Sequence, residues 1–375
     1  MNCGRVTIGG HPVVCAALAV AWFFCVGAGS SMAAPSVSSV SGAVANGQSI
    51  TISGSNFGSG PSVLLFDDFE QGSNGATIAT GSGSAAVGQW NSTQGNGDTQ
   101  PPTYSNAEKV SGNLAAHMTN ANGVWDSRIV AAIPQQNQVF ISWWMWIDQM
   151  PINEGTSANW KTIWLMNTGT TDYDLTLPTY FGTGVNGLYG SNYLGNNCSS
   201  GYSDWAVPSM STGAWLRSWV FVDGTSDGKY IQSWALTPSG VAQAATSSNS
   251  ASSCWFNGAE SFAQVYINGN MATGSCCSNA YFDDIYIAYG PNAMARVEIG
   301  NAATYNACTN LTIVTPTSWS GSSITATVRQ GSFGSSASAY LYVLDATGTP
   351  NANGYPVTFG ASSSAPATPS GLHLQ

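Results

Sequence analysis

A chain of 375 residues with 8 Lys and Arg against 18 Asp and Glu, net charge −10, offers no basic footprint for a phosphate backbone, which excludes nucleic acid as an expected partner. Only 7% of the residues are charged, 43% are apolar and 43 are glycine, a profile that argues against coiled coils, helical repeats and acidic disordered tails. The length suffices for two compact domains.

In chain order the first feature is an apolar run over residues 13–29, preceded by Arg5 and followed by Ser31, Met32, Ala33 and Ala34. This pattern predicts a cleaved secretory signal over 1–33. The run is short for a membrane anchor and lacks a charged stop-transfer flank. The expectation is export, to the cell surface, the periplasm or the medium, with no membrane insertion after cleavage. Cys3, Cys15 and Cys25 would leave with the signal, and Cys198, Cys254, Cys276, Cys277 and Cys308 would stay. In an exported chain these favour disulfides over a zinc site, with one thiol unpaired or Cys276 joined to its neighbour Cys277.

Past Pro35, short β-branched and aromatic runs alternate with Gly, Ser, Asn and Asp clusters, which predicts an all-β chain of sandwich type. Candidate strands are Gln48–Gly54, Val63–Phe69, Gln138–Asp148, Trp160–Asn167, Trp215–Asp223, Lys229–Leu236, Ala263–Asn268, Tyr281–Tyr289, Ser323–Arg329 and Ala339–Leu344. Gln71–Gln100 and Ala244–Ser253 read as long polar loops.

Two stretches far apart carry one resemblance. Pro35-Ser-Val-Ser-Ser-Val-Ser-Gly and Gly47-Gln-Ser-Ile-Thr-Ile-Ser-Gly-Ser-Asn-Phe-Gly58 resemble the opening of an IPT/TIG immunoglobulin-like domain. Ala295–Gly300, Pro316–Val328, Ala339–Asp345 and Gly354–Phe359 resemble its remaining strands. The segment between them is similar to a concanavalin A-like jelly roll. It opens with Phe66-Asp67-Asp68-Phe69-Glu70, closes with Phe282-Asp283-Asp284-Ile285, and contains Phe140–Asp148, Trp160–Trp164 and Ser226–Lys229. The resemblances imply a jelly-roll β-sandwich inserted into a split immunoglobulin-like β-sandwich. The implied divisions are 35–63 and 292–361 for the two halves, 64–291 for the insertion, and 362–375 for a disordered tail. Insertion of this kind is tolerated where a loop tip presents neighbouring chain ends.

Strand alternation separates Val139, Ile141, Trp143, Met145 and Ile147, a core face, from Phe140, Ser142, Trp144, Trp146 and Asp148. The second set mixes rings with polar groups, as a sugar-binding face requires. Trp144, Trp146, Trp160, Trp164, Arg217 and Trp219 are therefore candidate ligand residues for an extracellular polysaccharide, and Lys161 joins Arg217 as a polar contact. The alternative is that the tryptophans fill the core or cover the joint between the two sandwiches. By the jelly-roll resemblance, Asp68, Glu70, Asp283 and Asp284 would hold a structural Ca²⁺ on the terminal strands, a hard cation suited to clustered carboxylates. Only five Glu are present and the laminarinase-type Glu-x-Asp-x-x-Glu pattern is absent, so hydrolysis is disfavoured. A polysaccharide lyase is the enzymatic alternative, with Lys161, Arg217, Tyr230 and His117 as candidates for carboxylate neutralisation and proton abstraction. A structural surface or adhesin protein that self-associates is the third reading.

Overall fold

The computed structural model describes residues 33–94, 101–119, 127–148, 159–166, 175–180, 189–191, 204–206, 211–225, 230–248, 261–272, 279–360 and 362–363. The expected signal segment and every retained cysteine but Cys308 lie outside them. Residues 34–375 form one compact unit. Its strands are β1 (Ser36–Ala43), β2 (Ser49–Ser55), β3 (Ser62–Asp67), β4 (Ser92–Gln94), β5 (Thr103–Ser105), β6 (Ala115–Thr119), β7 (Arg128–Gln136), β8 (Gln138–Ile147), β9 (Asn159–Met166), β10 (Leu175–Tyr180), β11 (Tyr189–Ser191) and β12 (Asp204–Ala206). They continue with β13 (Leu216–Asp223), β14 (Tyr230–Thr237), β15 (Gly240–Ser248), β16 (Phe262–Ala272), β17 (Asn279–Tyr289), β18 (Arg296–Gly300), β19 (Leu311–Trp319), β20 (Ser323–Thr327), β21 (Ser338–Leu344), β22 (Tyr355–Thr358) and β23 (Ser362–Ser363). No α-helix occurs among the described residues. The chain is all-β, as the alternation predicts.

The first sheet, in the order β22-β21-β18-β19-β20-β2-β1-β23, draws on both ends of the described chain. Ile52 of β2 sits opposite Ile324 of β20. β19 is shared along its length: Leu311–Val314 pair with β18, and Thr315–Trp319 pair with β20. The sheet folds about this strand and encloses a core of its own, including Val40, Ile52, Val297, Ile324, Leu341 and Val343.

The intervening strands build two more sheets. One runs β15-β14-β13-β8-β17-β6-β5, with β3 also on β17; the other runs β12-β11-β10-β9-β16-β7-β4. Leu65, Ile129, Ile141, Ile163, Val265 and Ile287 are among the side chains packed between them. β3 and β17, the first and last strands of this pair of sheets, lie antiparallel, with Asp67 opposite Ile285. β6 and β3 occupy successive parts of the same β17 edge, β6 along Asn279–Phe282 and β3 along Ile285–Tyr289. Asp283 and Asp284 fall at the handover. There the β8 register slips, and Asp284 takes the left-handed conformation at φ 45°.

Three local expectations need correction. Ala244–Ser248 is not loop but the end of β15, an edge strand paired with β14; its Ala, Ser and Thr content hid the pairing. Ser362 and Ser363, placed in the tail, pair with Ala43 and Gly42. Ser92–Gln94, placed in the loop Gln71–Gln100, is β4 and pairs with β7, a strand that Pro134 interrupts. The β16 register slips beside that proline, which absorbs the missing N–H.

Candidate functional site

The outer face of the β8 sheet is divided. On one half, Phe140, Trp219, Phe221 and Tyr286 pack against Leu311, Ile313, Tyr342 and Leu344 of the first sheet and its flanks. Ionic groups are buried in this joint. The Arg217 guanidinium reaches Glu298 at 2.5 Å and donates to Ser142 Oγ at 3.1 Å. Arg296 Nε lies 3.2 Å from the other Glu298 oxygen, to which the Tyr305 hydroxyl donates at 2.6 Å. Burial works to push the Glu298 carboxyl up, but the two guanidiniums and the hydroxyl outweigh it, and the group lies below its ordinary range. Arg217 and Trp219 are each 2% exposed. This corrects the expectation that they meet a ligand: they hold two sandwiches together, and the joint alternative is the one the structure bears for them.

On the other half of the same face, the joint ends. Trp144 is part-exposed and leans on the joint cluster, while Trp146, two residues on, is part-exposed beyond it. Trp146 sits opposite Tyr281 of β17, which sits opposite His117 of β6, which sits opposite Thr103 of β5. These four strands span about 14 Å across the sheet. The Trp146 and Tyr281 rings meet edge to face at 5.4 Å, and Tyr281 stacks on His117 at 4.7 Å. Asp148 accepts from the Asn279 backbone N–H at 3.0 Å and from its side-chain amide at 2.6 Å. That orients the amide oxygen toward His117 Nε2, 2.7 Å away. An amide oxygen can only accept, so Nε2 carries the hydrogen. Burial, then the charges of Glu108 and Asp148, push the Tyr281 hydroxyl up from its ordinary value. The result is a strip of rings flanked by an imidazole, an amide and carboxylates.

Trp164 is not part of this strip. It is 2% exposed on the outer side of the other sheet, beside Val130, Met166 and Tyr266. The Arg128 guanidinium lies 5.4 Å from the Trp164 ring and 5.3 Å from that of Tyr266. A single platform of four tryptophans is therefore corrected: β8 and β9 belong to opposite sheets. The side chains of Trp160, Lys161 and Tyr230 lie outside the described residues.

Three of the four nominated acidic residues, Asp68, Glu70 and Asp284, line a polar cavity of about 290 Å³ with Ser111, Asn113 and Arg329, while Asp283 is fully buried and does not line it. Most of their oxygens are engaged. Glu70 accepts from the backbone N–H groups of Asn113 and Leu114, both at 2.7 Å. Asp283 accepts from those of Val110 and Ser111 at 2.8 and 3.0 Å. Asp67 takes the Trp90 indole N–H at 2.6 Å, and burial pushes its carboxyl up to about 8. Asp68 faces Arg329 at 3.6 Å. Asp284 is the exception. Its Oδ1 accepts from Ser111 Oγ at 2.8 Å, while its buried Oδ2 has no hydrogen-bond partner. Burial pushes this carboxyl up to about 6, with Asp68 adding to the shift. Among the described residues no three of His, Cys, Asp and Glu are grouped to hold a metal, so a cation here would also need backbone carbonyl and Asn113 or Ser111 oxygens.

Cys308 is a buried free thiol, its sulfur 3.9 Å from the Tyr342 hydroxyl. Sequence reasoning missed Tyr281, Asn279, Arg128 and Glu298, all of which acquire their surroundings through pairing between distant strands.

No protein-family model matches the chain, and no curated protein does. Among solved structures it is similar to a cellulose-induced protein, Cip1, at 14% identity and TM-score 0.39, over 60% of this chain and 96% of that one. It is also similar to a GH131 β-glucanase catalytic domain from Podospora anserina (16% identity, TM-score 0.37, 61% of this chain and 96% of that one). A third is the carbohydrate recognition domain of Emp46p (9% identity, TM-score 0.33, 50% and 86%). At these values the likenesses assign no activity. No helix among the described residues is long and apolar enough to cross a membrane.

Proposed function

We propose that this is an exported carbohydrate-binding protein that takes extracellular polysaccharide on the strip Trp146–Tyr281–His117, carried by a jelly roll inserted into an immunoglobulin-like sandwich. One observation supports the reading above the rest: Trp146 stays part-exposed beside an ordered row of Tyr281, His117 and Asn279, while the rest of the same face is closed by the joint. Flat rings stack on the C–H faces of a sugar, and the amide and imidazole take its hydroxyls. The lyase alternative loses Arg217 as its carboxylate neutraliser, since that guanidinium is committed to Glu298. The test is retention of the purified chain on a panel of immobilised polysaccharides, with ultraviolet absorbance followed in parallel. Retention that Trp146→Ala weakens by about tenfold supports binding. Rising absorbance, the sign of β-elimination, overturns it in favour of a lyase, and silence in both overturns it in favour of a structural surface protein.

We also propose that Asp284 and Glu70, with neutral oxygens of Ser111 and Asn113, hold a Ca²⁺ that braces β3 against β17. The unpartnered buried Asp284 Oδ2 in a polar cavity supports this, because Ca²⁺ accepts mixed carboxylate and carbonyl oxygens. Bound there, it would supply the charge that the Asp284 carboxylate lacks.

A further inference from the structure

We propose that the Trp146–Tyr281–His117 strip selects polysaccharides bearing amino groups, such as a glucosamine polymer, over neutral ones and over polyuronates; this rests on the carbohydrate-binding reading above. Three features of the strip favour a cation. The part-exposed Trp146 ring, held edge to face against the buried Tyr281, presents negative π density, and an ammonium within about 6 Å of such a ring is attracted to it. Asp148 lies at one end of the strip, held by both hydrogen-bonding groups of Asn279. Glu108, part-exposed on the segment after β5, is close enough for its charge to be felt at the Tyr281 hydroxyl, as is that of Asp148.

The cationic side chains that the structure describes are committed elsewhere. Arg217 and Arg296 serve Glu298 in the joint. Arg128 lies over Trp164 and Tyr266 on the opposite sheet. Arg329 faces Asp68, and the Lys109 ammonium donates to the Asn106 carbonyl. A uronate on the strip would therefore meet two carboxylates, whereas an amino sugar would find two opposite charges and the Trp146 ring. His117 adds to the discrimination. With its Nε2–H given to Asn279, the ring leaves only Nδ1 to a ligand, where an ammonium would find a hydrogen-bond acceptor in that tautomer.

The test measures retention of the full chain on a deacetylated glucosamine polymer, on the same polymer N-acetylated, and on polygalacturonate, at low and high salt. The expected order is amine first, by about tenfold over the acetylated form, with the uronate weakest and the preference shrinking in salt. Glu108→Gln should lower the amine preference severalfold with retention on the acetylated polymer kept. The chain is acidic overall, so Trp146→Ala separates site from bulk charge. If the amine preference survives in that variant, or if the acetylated polymer or the uronate binds as tightly as the amine, the inference is overturned. Absence of retention on every polymer would instead remove the carbohydrate-binding reading beneath it.

Discussion

The two halves of one sheet face differ less in composition than in what covers them. Phe140 and Trp146 stand on the same side of β8, yet the first is sealed beneath the first sheet and the second keeps part of its ring in solvent. Each half also holds a hydrogen-bonded polar group: Arg217–Glu298 under the cover, His117–Asn279–Asp148 beside it. The covered network has its charges paired within the chain and no route to a ligand, so it can only stabilise or specify the joint. The uncovered one retains Nδ1 and the part-exposed Trp146 ring for something else. An aromatic and polar strand face is thus either a seam or a site, and the neighbouring sheet decides which.

The contrast can be broken most forcefully at Glu298. Glu298→Gln leaves two guanidiniums buried without a charge partner, and denaturant unfolding should show a loss of about 3–5 kcal/mol. A loss under about 1 kcal/mol would mean that the joint admits water. Next in size is the acidic cavity: Ca²⁺ at a hundred times its Kd should raise stability by about 2.7 kcal/mol in thermal unfolding. That gain should vanish in Asp284→Asn, and a wild-type chain indifferent to Ca²⁺ and chelator would remove the ion.

With Ca²⁺ chelated, pH sharpens the same comparison. Burial raises Asp284 and Asp67, so the stability they contribute is present in mild acid and lost as pH rises through about 6 and then about 8. Glu298 is lowered below 4.5, so its share is present above that value and lost as pH falls through the lowered one. The melting temperature should therefore peak in mild acid, and a flat profile to pH 9 would refute this. The smallest stability effect is expected at the strip. Trp146→Ala should cost about 1 kcal/mol or less in unfolding, because the ring is part-exposed, while weakening polysaccharide retention by about tenfold.

Much of this was legible in the sequence. The alternation of Val139–Asp148 assigned both faces of β8 correctly, because a period of two needs no knowledge of partners. The Asp-Asp motifs of β3 and β17 were rightly brought to one place. The cover on the outer face stood only as the alternative reading, although a signal for it existed. Ile285-Tyr-Ile-Ala-Tyr289 is apolar on both parities, and such a strand is packed on both sides. β18, Arg-Val-Glu-Ile-Gly, is likewise buried throughout, and two charges in such a strand announce a buried ion pair. The partner, Arg217, is 81 positions away, a distance at which local pattern carries no information. The separation of Trp164 from Trp146 failed for a related reason: adjacent strands in sequence, β8 and β9, turn across the sandwich rather than along one sheet.

The pairing of β2 with β20 has a further consequence for how the chain comes into being. β1 and β2 are synthesised early, but the strand that completes their sheet, β20, follows the whole excursion from β3 to β17. Until then the free edge of β2 is an open template for other strands. The adjacent β3 and β17 return the chain to its point of departure, so closing the middle sheets brings the two ends within reach of each other. A fault in the excursion that keeps β3 from β17 would leave the opening hairpin without its partner strand, exposed and prone to aggregate.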